Sequence, residues 1–291
     1  MDLQLQDKHV LITGGSKGIG LACAQAFLAE GARVSLVSRS RQNLEQGAAQ
    51  LHQWLSGGPG GAGGEESAAR AGPPAASGVV SKGSARVRTF VADLKDPDAA
   101  VAALDSAEKA GGPVDILVNS AGAAKRVGPD DLTPRAWRDS MDAKYFTYIH
   151  MLDPVVKRMG QRGSGVIVNI IGAGGKVASP THLSGGAANA ALMLVSAGMA
   201  AAYGSKGVRV NAVNPGLTLT ERLKEGLAAE AKLDNIDIEQ ALARANKRLP
   251  LGRIARPEEI ADAVVFLASP RASYITGAIL SMDGAVHPMV V

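Results

Sequence analysis

The sequence predicts a doubly wound α/β fold, a parallel sheet with helices on both faces, and three observations carry that reading. Short β-branched runs alternate with longer Ala-rich stretches of helical length from end to end. A glycine-rich turn, TGGSKGIG at Thr13–Gly20, follows the first such run and opens the first such stretch. A chain of 291 residues is long enough for one large domain with a well-buried core.

The runs His9–Thr13, Arg33–Val37, Arg86–Val91, Asp115–Asn119, Gly165–Ile171, Val208–Val213 and Ala278–Met282 read as seven buried strands. Helices are expected at Ile19–Glu30, Arg41–Leu55, Pro97–Ala110, Thr133–Arg162, Gly186–Gly204 and Pro257–Ala268. Alternation of this kind implies right-handed crossovers and a parallel sheet. One interruption, residues 56–85, is dominated by Gly, Ala, Ser and Pro; it cannot bury enough apolar surface to offset chain entropy, so a flexible surface insertion is expected. Residues 217–250 are helical and amphipathic and follow a strand end, the place for a substrate lid.

Composition excludes several classes. The formal charge of +4 is mild, basic residues are scattered, and aromatics make up 3%, so nucleic-acid binding has little support. The single cysteine, Cys23, permits no internal disulfide and fits a reducing, cytoplasmic setting. No signal peptide is expected from the N-terminus. The longest apolar stretch, Ala187–Tyr203, contains Asn189, Ser196 and Gly198 and reads as a buried helix rather than a membrane span. No metal-ligating set is expected.

In the turn, Gly14 permits the tight strand-to-helix reversal and Gly18 lets the backbone approach a pyrophosphate. Gly20 allows the helix to lie close on the sheet. Phosphates then meet free N–H groups at the positive end of the helix. Asp93–Leu94, NSAG at Asn119–Gly122, VNAVNPG at Val210–Gly216 and the tail RPEEIADAVVFLASPRASYITGAILSMDG stand around this turn in order. Together these segments resemble the short-chain dehydrogenase/reductase family, whose single Rossmann domain carries a seven-stranded parallel sheet.

The resemblance implies a dinucleotide site. Ser16, Lys17 and Ile19 would lie on the phosphate loop, Asp93 and Leu94 at the adenine, and Asn119, Ala121 and Gly122 along the ribose and nicotinamide. Pro215, Gly216 and Leu217 would hold the carboxamide, and Thr220 would reach a phosphate. NADP (NADPH) is expected over NAD on physical grounds. An NAD site presents a carboxylate to the ribose after the second strand; here Ser38 and Arg39 stand in that place, with Lys17 on the neighbouring loop.

The resemblance also implies a catalytic Asn, Ser, Tyr and Lys, and these residues are missing. Counting from Arg209 puts the Tyr position at Gly185 and the Lys position at Asn189; the Ser position falls at Gly172 and the Asn position at Lys144. Tyr203 and Lys206 are not a displaced pair, since the lysine comes one residue early and both lie at the far end of the helix. The candidates for replacing the lost acid are His182, seven residues before Asn189 where enoyl reductases of the family carry their Tyr, Lys144 as a positive charge, and Ser184 as a carbonyl-polarising hydroxyl. Gly185–Gly186 would leave room for a bulky ligand.

The expected function is therefore an NADP-dependent oxidoreductase acting on a small carbonyl or activated alkene with a non-standard proton donor. A non-catalytic NADP-binding sensor or assembly protein is the alternative. A small-molecule substrate and a homodimer or homotetramer are the implied partners, with no nucleic acid and no membrane.

Overall fold

A computed structural model describes residues 1–57, 86–122 and 126–288. The expected insertion therefore lies, but for Ser56 and Gly57, outside the described residues. The strands are β1 (His9–Thr13), β2 (Arg33–Ser38), β3 (Val87–Val91), β4 (Ile116–Asn119), β5 (Gly165–Ile170), β6 (Val208–Pro215) and β7 (Ile279–Met282). They form one seven-stranded sheet, parallel throughout, in the order β3-β2-β1-β4-β5-β6-β7. The chain leaves β1 first toward β2 and β3 and later returns to its other side at β4, with Val10 opposite Ile116 and Thr13 opposite Asn119. That reversal opens a crevice beyond the ends of β1 and β4.

The core follows from the period-two geometry of strands. Val10 and Ile12 of β1 join Ile116 and Val118 of β4 on one face. There they meet Phe27 and Leu28 of α1 (Gly18–Ala29) and Val264 and Leu267 of a late helix, Pro257–Ala268. Leu11 and Leu117 point the other way, to Leu104 of α3 (Pro97–Gly111) and to Met151, Leu152 and Val155 on the helix Thr147–Arg162. Cys23 is fully buried in the first layer, and burial pushes its thiol up and out of the reactive range. The helix α2 (Arg41–Leu55) starts at Ser40, whose hydroxyl accepts from the Asn43 N–H.

The structure departs from the expected single helix over Thr133–Arg162. It holds α4 (Pro134–Ser140), a π-helical turn (Met141–Phe146) and then α5 (Thr147–Arg162). The wider π turn spends an extra residue before the i→i+5 bond closes, and Lys144 within it is buried on the sheet side.

A second departure concerns the apolar helix α6 (Leu183–Tyr203). It has no charged residue, and by length and composition Pro180–Lys206 is apolar enough to cross a membrane, but only 33% of its most apolar window is buried. The expected buried helix is in fact packed on one face and bare on the other, where Leu194 is 76% exposed.

After β6 the chain makes α7 (Glu221–Leu233) and α8 (Ile238–Lys247), which bury Leu227, Ala231, Ala241 and Ile254 in a small core of their own. Backbone bonds Leu219 N–H to Ala255 C=O, at 2.8 Å, and Ala255 N–H to Leu217 C=O, at 3.2 Å, pin the two ends of this excursion together. The last helix, α9 (Pro257–Ala268), then packs on α1.

Candidate active site

The crevice at the reversal is a cleft of about 610 Å³, lined among others by Gly14, Ser38, Arg39, Asp93, Leu94 and Gly122. Gly14 has φ +65°, and a Cβ there would lie 2.9 Å from the Ala121 Cα. A Cβ on Gly20 would lie 2.4 Å from the Gly14 carbonyl oxygen, so both glycines are required for α1 to meet the sheet this closely. Lys17 occupies the N-cap of α1 with no side-chain bond to the first turn, so those N–H groups find no capping oxygen there. Its side chain is exposed, as is that of Arg39, while Ser16 is buried and donates to the Ser38 hydroxyl at 3.2 Å. Ile19 is partly buried against the first core layer.

Thr13 holds the opposite wall. Its hydroxyl accepts the Ser120 and Ala121 N–H groups at 3.1 and 3.2 Å. Asn119 differs from expectation. It is fully buried, accepts from the Thr13 hydroxyl and donates to Asn169 at 3.1 Å, and so ties β1, β4 and β5 together without lining the cleft. At the far end Pro215 is buried, Gly216 N–H donates to Met282 C=O at 3.1 Å, and Leu217 is 42% exposed. Thr220 lies over the glycine loop, its methyl carbon 3.2 Å from where a Gly18 Cβ would be. Its hydroxyl caps α7, accepting from the Leu223 N–H at 3.3 Å.

The candidate reacting groups sit at the end of β5 rather than in the cleft wall. Lys144 donates to the Tyr148 hydroxyl at 2.9 Å and to the Ile170 C=O at 3.4 Å. The Tyr148 O–H also donates to the Ile170 C=O. Burial, with a further push from the Arg222 charge, lowers the Lys144 ammonium to about 7. Burial moves the Tyr148 phenol upward, which keeps it protonated. His182 precedes α6, and its ring approaches Gly174, the Cδ2 being 3.1 Å from a Cβ there. Its Nδ1 is buried without a hydrogen-bond partner. Burial and the charges of Arg126, Arg222 and Lys144 lower its pKa, so the neutral ring is favoured. Ser184 is buried and its hydroxyl pairs with that of Ser140 at 2.8 Å.

Gly172, with φ +128°, begins a 3₁₀ turn, Ala173–Gly175, that lies against the start of α6. Asn189 is buried beside this turn, its Nδ2 3.4 Å from a Gly172 Cβ position, and its Oδ1 has no partner. Gly185 is buried. The room expected at Gly185–Gly186 is taken: a Cβ on Gly186 would lie 2.8 Å from the Gly174 carbonyl oxygen, and one on Gly175 2.7 Å from the Ala190 nitrogen. Glycines here let the turn and the helix meet, not a bulky ligand enter. Tyr203 lies at the other end of α6 against Gly160, with Lys206 over its ring.

Comparison with known proteins matches this geometry. A family model described as short chain dehydrogenase matches residues 8–58, and one described as enoyl-(acyl carrier protein) reductase matches residues 68–287. D-threitol dehydrogenase of Mycolicibacterium smegmatis is 33% identical over 97% of this chain and 94% of its own. The chain belongs to the short-chain dehydrogenase/reductase family. Among solved structures of similar shape is L-sorbose reductase from Gluconobacter frateurii complexed with NADPH and L-sorbose, with a TM-score of 0.84, 28% identity and complete coverage of both chains. Another is an NADPH-bound short chain oxidoreductase from Pseudomonas aeruginosa PAO1, described as containing an atypical catalytic center. It has a TM-score of 0.80 and 27% identity over 98% of this chain and 100% of its own.

Within the family fold, the residue that sequence reasoning missed is Tyr148. The signal was present, since Lys144 and Tyr148 are four residues apart on a helical stretch and so share a face. Ser140 was missed as well. Nothing in its local sequence distinguishes it from a surface hydroxyl near the end of a helix.

Proposed function

We propose that this protein is an NADP(H)-dependent oxidoreductase that moves hydride to or from a small carbonyl or activated alkene, with Lys144 handling the proton. The observation that carries the cofactor choice is the cleft at the strand-order reversal, with Ser38 and Arg39 on its wall and Lys17 on the adjoining loop. A guanidinium there offers charge-assisted bonds to a ribose 2′-phosphate, and no carboxylate at that position repels it. NADP(H) would be held along Gly14, Ser16, Gly18 and Ile19, with Asp93 and Leu94 at the adenine. When bound it supplies the hydride. The names of the relatives, a threitol dehydrogenase and a sorbose reductase, favour a small hydroxylated ketone or its alcohol.

Two further observations support Lys144 as the proton-handling group. A general acid works best when its pKa lies near the working pH, and the Lys144 amine is brought to about 7. The Tyr148 phenol, moved the other way, is excluded from that role. His182 stands nearer the surface as the second proton-handling group, its neutral ring suited to accept a proton in the alcohol-oxidising direction, with Ser184 as a polarising hydroxyl. The positions at which the family resemblance places Asn, Ser, Tyr and Lys carry Lys144, Gly172, Gly185 and Asn189, so the reading transfers none of those four roles. Residues 217–250 act as the lid, and the bare face of α6 is where a second copy of the chain would pack.

A non-catalytic NADP-binding role is the second reading, favoured by the close contact of Gly186 with Gly174, which leaves little room at the start of α6. The experiment that separates the two is NADPH oxidation against a panel of hydroxy-ketones, ketones, quinones and enones, run beside direct NADPH and NADH titrations. Turnover of at least one compound with preference for NADPH is expected. Tight NADPH binding without any turnover leaves the sensor reading, and equal affinity for NADH removes the cofactor assignment.

A further inference from the structure

Lys144 has two acceptors among the described residues, the Tyr148 hydroxyl oxygen and the Ile170 carbonyl. A neutral amine has two N–H groups and one lone pair, so these two bonds satisfy it and leave the lone pair open. An ammonium has a third N–H, and that proton has no acceptor in the same set. The Tyr148 O–H is itself committed to Ile170, so its oxygen turns a lone pair toward Lys144. The lysine is held by one rigid aromatic side chain, fully buried, and one strand-end carbonyl.

We infer that Tyr148 is the positioning residue for Lys144, directing the amine so that its third valence, lone pair or proton, faces away from Tyr148 and Ile170 as the exchangeable site. The inference deepens the proposed function and rests on it for its catalytic meaning. The Tyr148–Lys144 contact itself stands on the geometry alone. Removing the hydroxyl takes an acceptor from both forms of the lysine. The charged form loses more, because a bond to an ammonium is stronger than one to an amine. The midpoint of the Lys144 titration therefore moves to lower pH by about one unit. The other charged groups acting around this end of β5 are Arg222 from α7, which acts on Lys144, and Arg126, which acts with Arg222 on His182. All of them are unchanged by the substitution.

The test is the titration of Lys144 in the NADPH-saturated protein, followed by the ε-carbon resonance of ¹³C-labelled lysine and assigned by its loss in Lys144→Met. Tyr148→Phe is expected to shift that midpoint down by about one unit. 3-Fluorotyrosine incorporated at 148 keeps the hydroxyl but makes it a weaker acceptor, and is expected to shift it in the same direction by less. A tyrosine that only fills the core would lower the melting temperature in Tyr148→Phe and leave the midpoint in place, which overturns the inference. If Tyr148→Phe does not fold, the fluorotyrosine protein decides, and an unmoved midpoint there overturns it equally. The measurement needs no substrate, so a chain that turns nothing over can still pass or fail it.

Discussion

Two neighbouring places past the strand ends of one sheet use glycine with different results. Around β1 and β4, Gly14 and Gly20 let the turn and the start of α1 lie close on the sheet, and a cleft of about 610 Å³ stands open beside them. Around β5 and α6, Gly175 and Gly186 let a turn and a helix close on each other, and the polar groups behind them are buried. The same close approach borders an open cleft in one place and seals a buried polar cluster in the other, so the surroundings and not the glycine decide which results. A count of glycines says little about space; the atom that an added Cβ would meet says much more.

The largest effect expected from breaking this contrast is at the open half. Gly20→Val places carbon within 2.4 Å of the Gly14 carbonyl oxygen, and overpacking of this kind costs ~1–3 kcal/mol. NADPH affinity measured by titration should fall by roughly 100-fold at the upper end of that range. An unchanged affinity would show that the loop tolerates displacement and is not the phosphate site.

Next in size is Lys144→Met. On whichever compound of the panel is turned over, the rate should fall ~10²–10⁴-fold with NADPH affinity retained. Stability carries its own signature. The unfolded lysine titrates near ~10.4, while the folded one is brought to about 7. Between those values the unfolded chain binds a proton that the folded chain does not, so stability rises with pH across the window and falls on acidification toward 7. Urea unfolding at several pH values should show that slope in the parent protein and lose it in Lys144→Met. A variant that keeps both the rate and the slope would leave the closed half without chemistry.

Arg39→Gln should weaken NADPH binding about tenfold and leave NADH unchanged, a result that sharpens the assignment of the open half. Equal losses for both cofactors would point to general charge rather than the 2′-phosphate. The smallest change is expected for Gly186→Ala. Contact with the Gly174 oxygen at 2.8 Å opposes a helix-propensity gain of about 1 kcal/mol, for a net loss of about 1 kcal/mol in thermal or urea unfolding. A net gain would mean that the turn yields easily and that the closed half opens at little cost.

Much of the fold was legible because it depends on local signals. The β-branched runs and the glycine turn placed all seven strands within two residues of their observed ends, and the helices expected at Arg41–Leu55 and Pro97–Ala110 are observed at Arg41–Leu55 and Pro97–Gly111. The helical stretch 133–162 was placed within one residue, but the π turn inside it was not foreseen because a π turn has no distinctive composition; MDAKYF is ordinary helical sequence until its neighbours are in place. Asn119 was assigned to the cleft because its motif places it there by resemblance, but its side chain points into the sheet, where Thr13 and Asn169 meet it from two other strands. Partners fifty or more positions apart in sequence are not visible in a linear reading. Lys144 was singled out from the sequence as a candidate, while its burial and its bond to Tyr148 required the packed helix.

Gly172 limits which substitutions are open to this chain. Its backbone stands at φ +128°, outside the range that L-residues favour, although an added Cβ would have only the Asn189 amide at 3.4 Å as a neighbour. Space for a side chain exists and the conformation for one does not; holding a non-glycine residue in such a region costs ~1–3 kcal/mol. Installing a hydroxyl at this point by a single substitution therefore begins with a loss, and it becomes neutral only after the chain on either side has been redrawn. Directed evolution from this sequence should find routes that elaborate the buried amine sooner than routes that place a serine at 172.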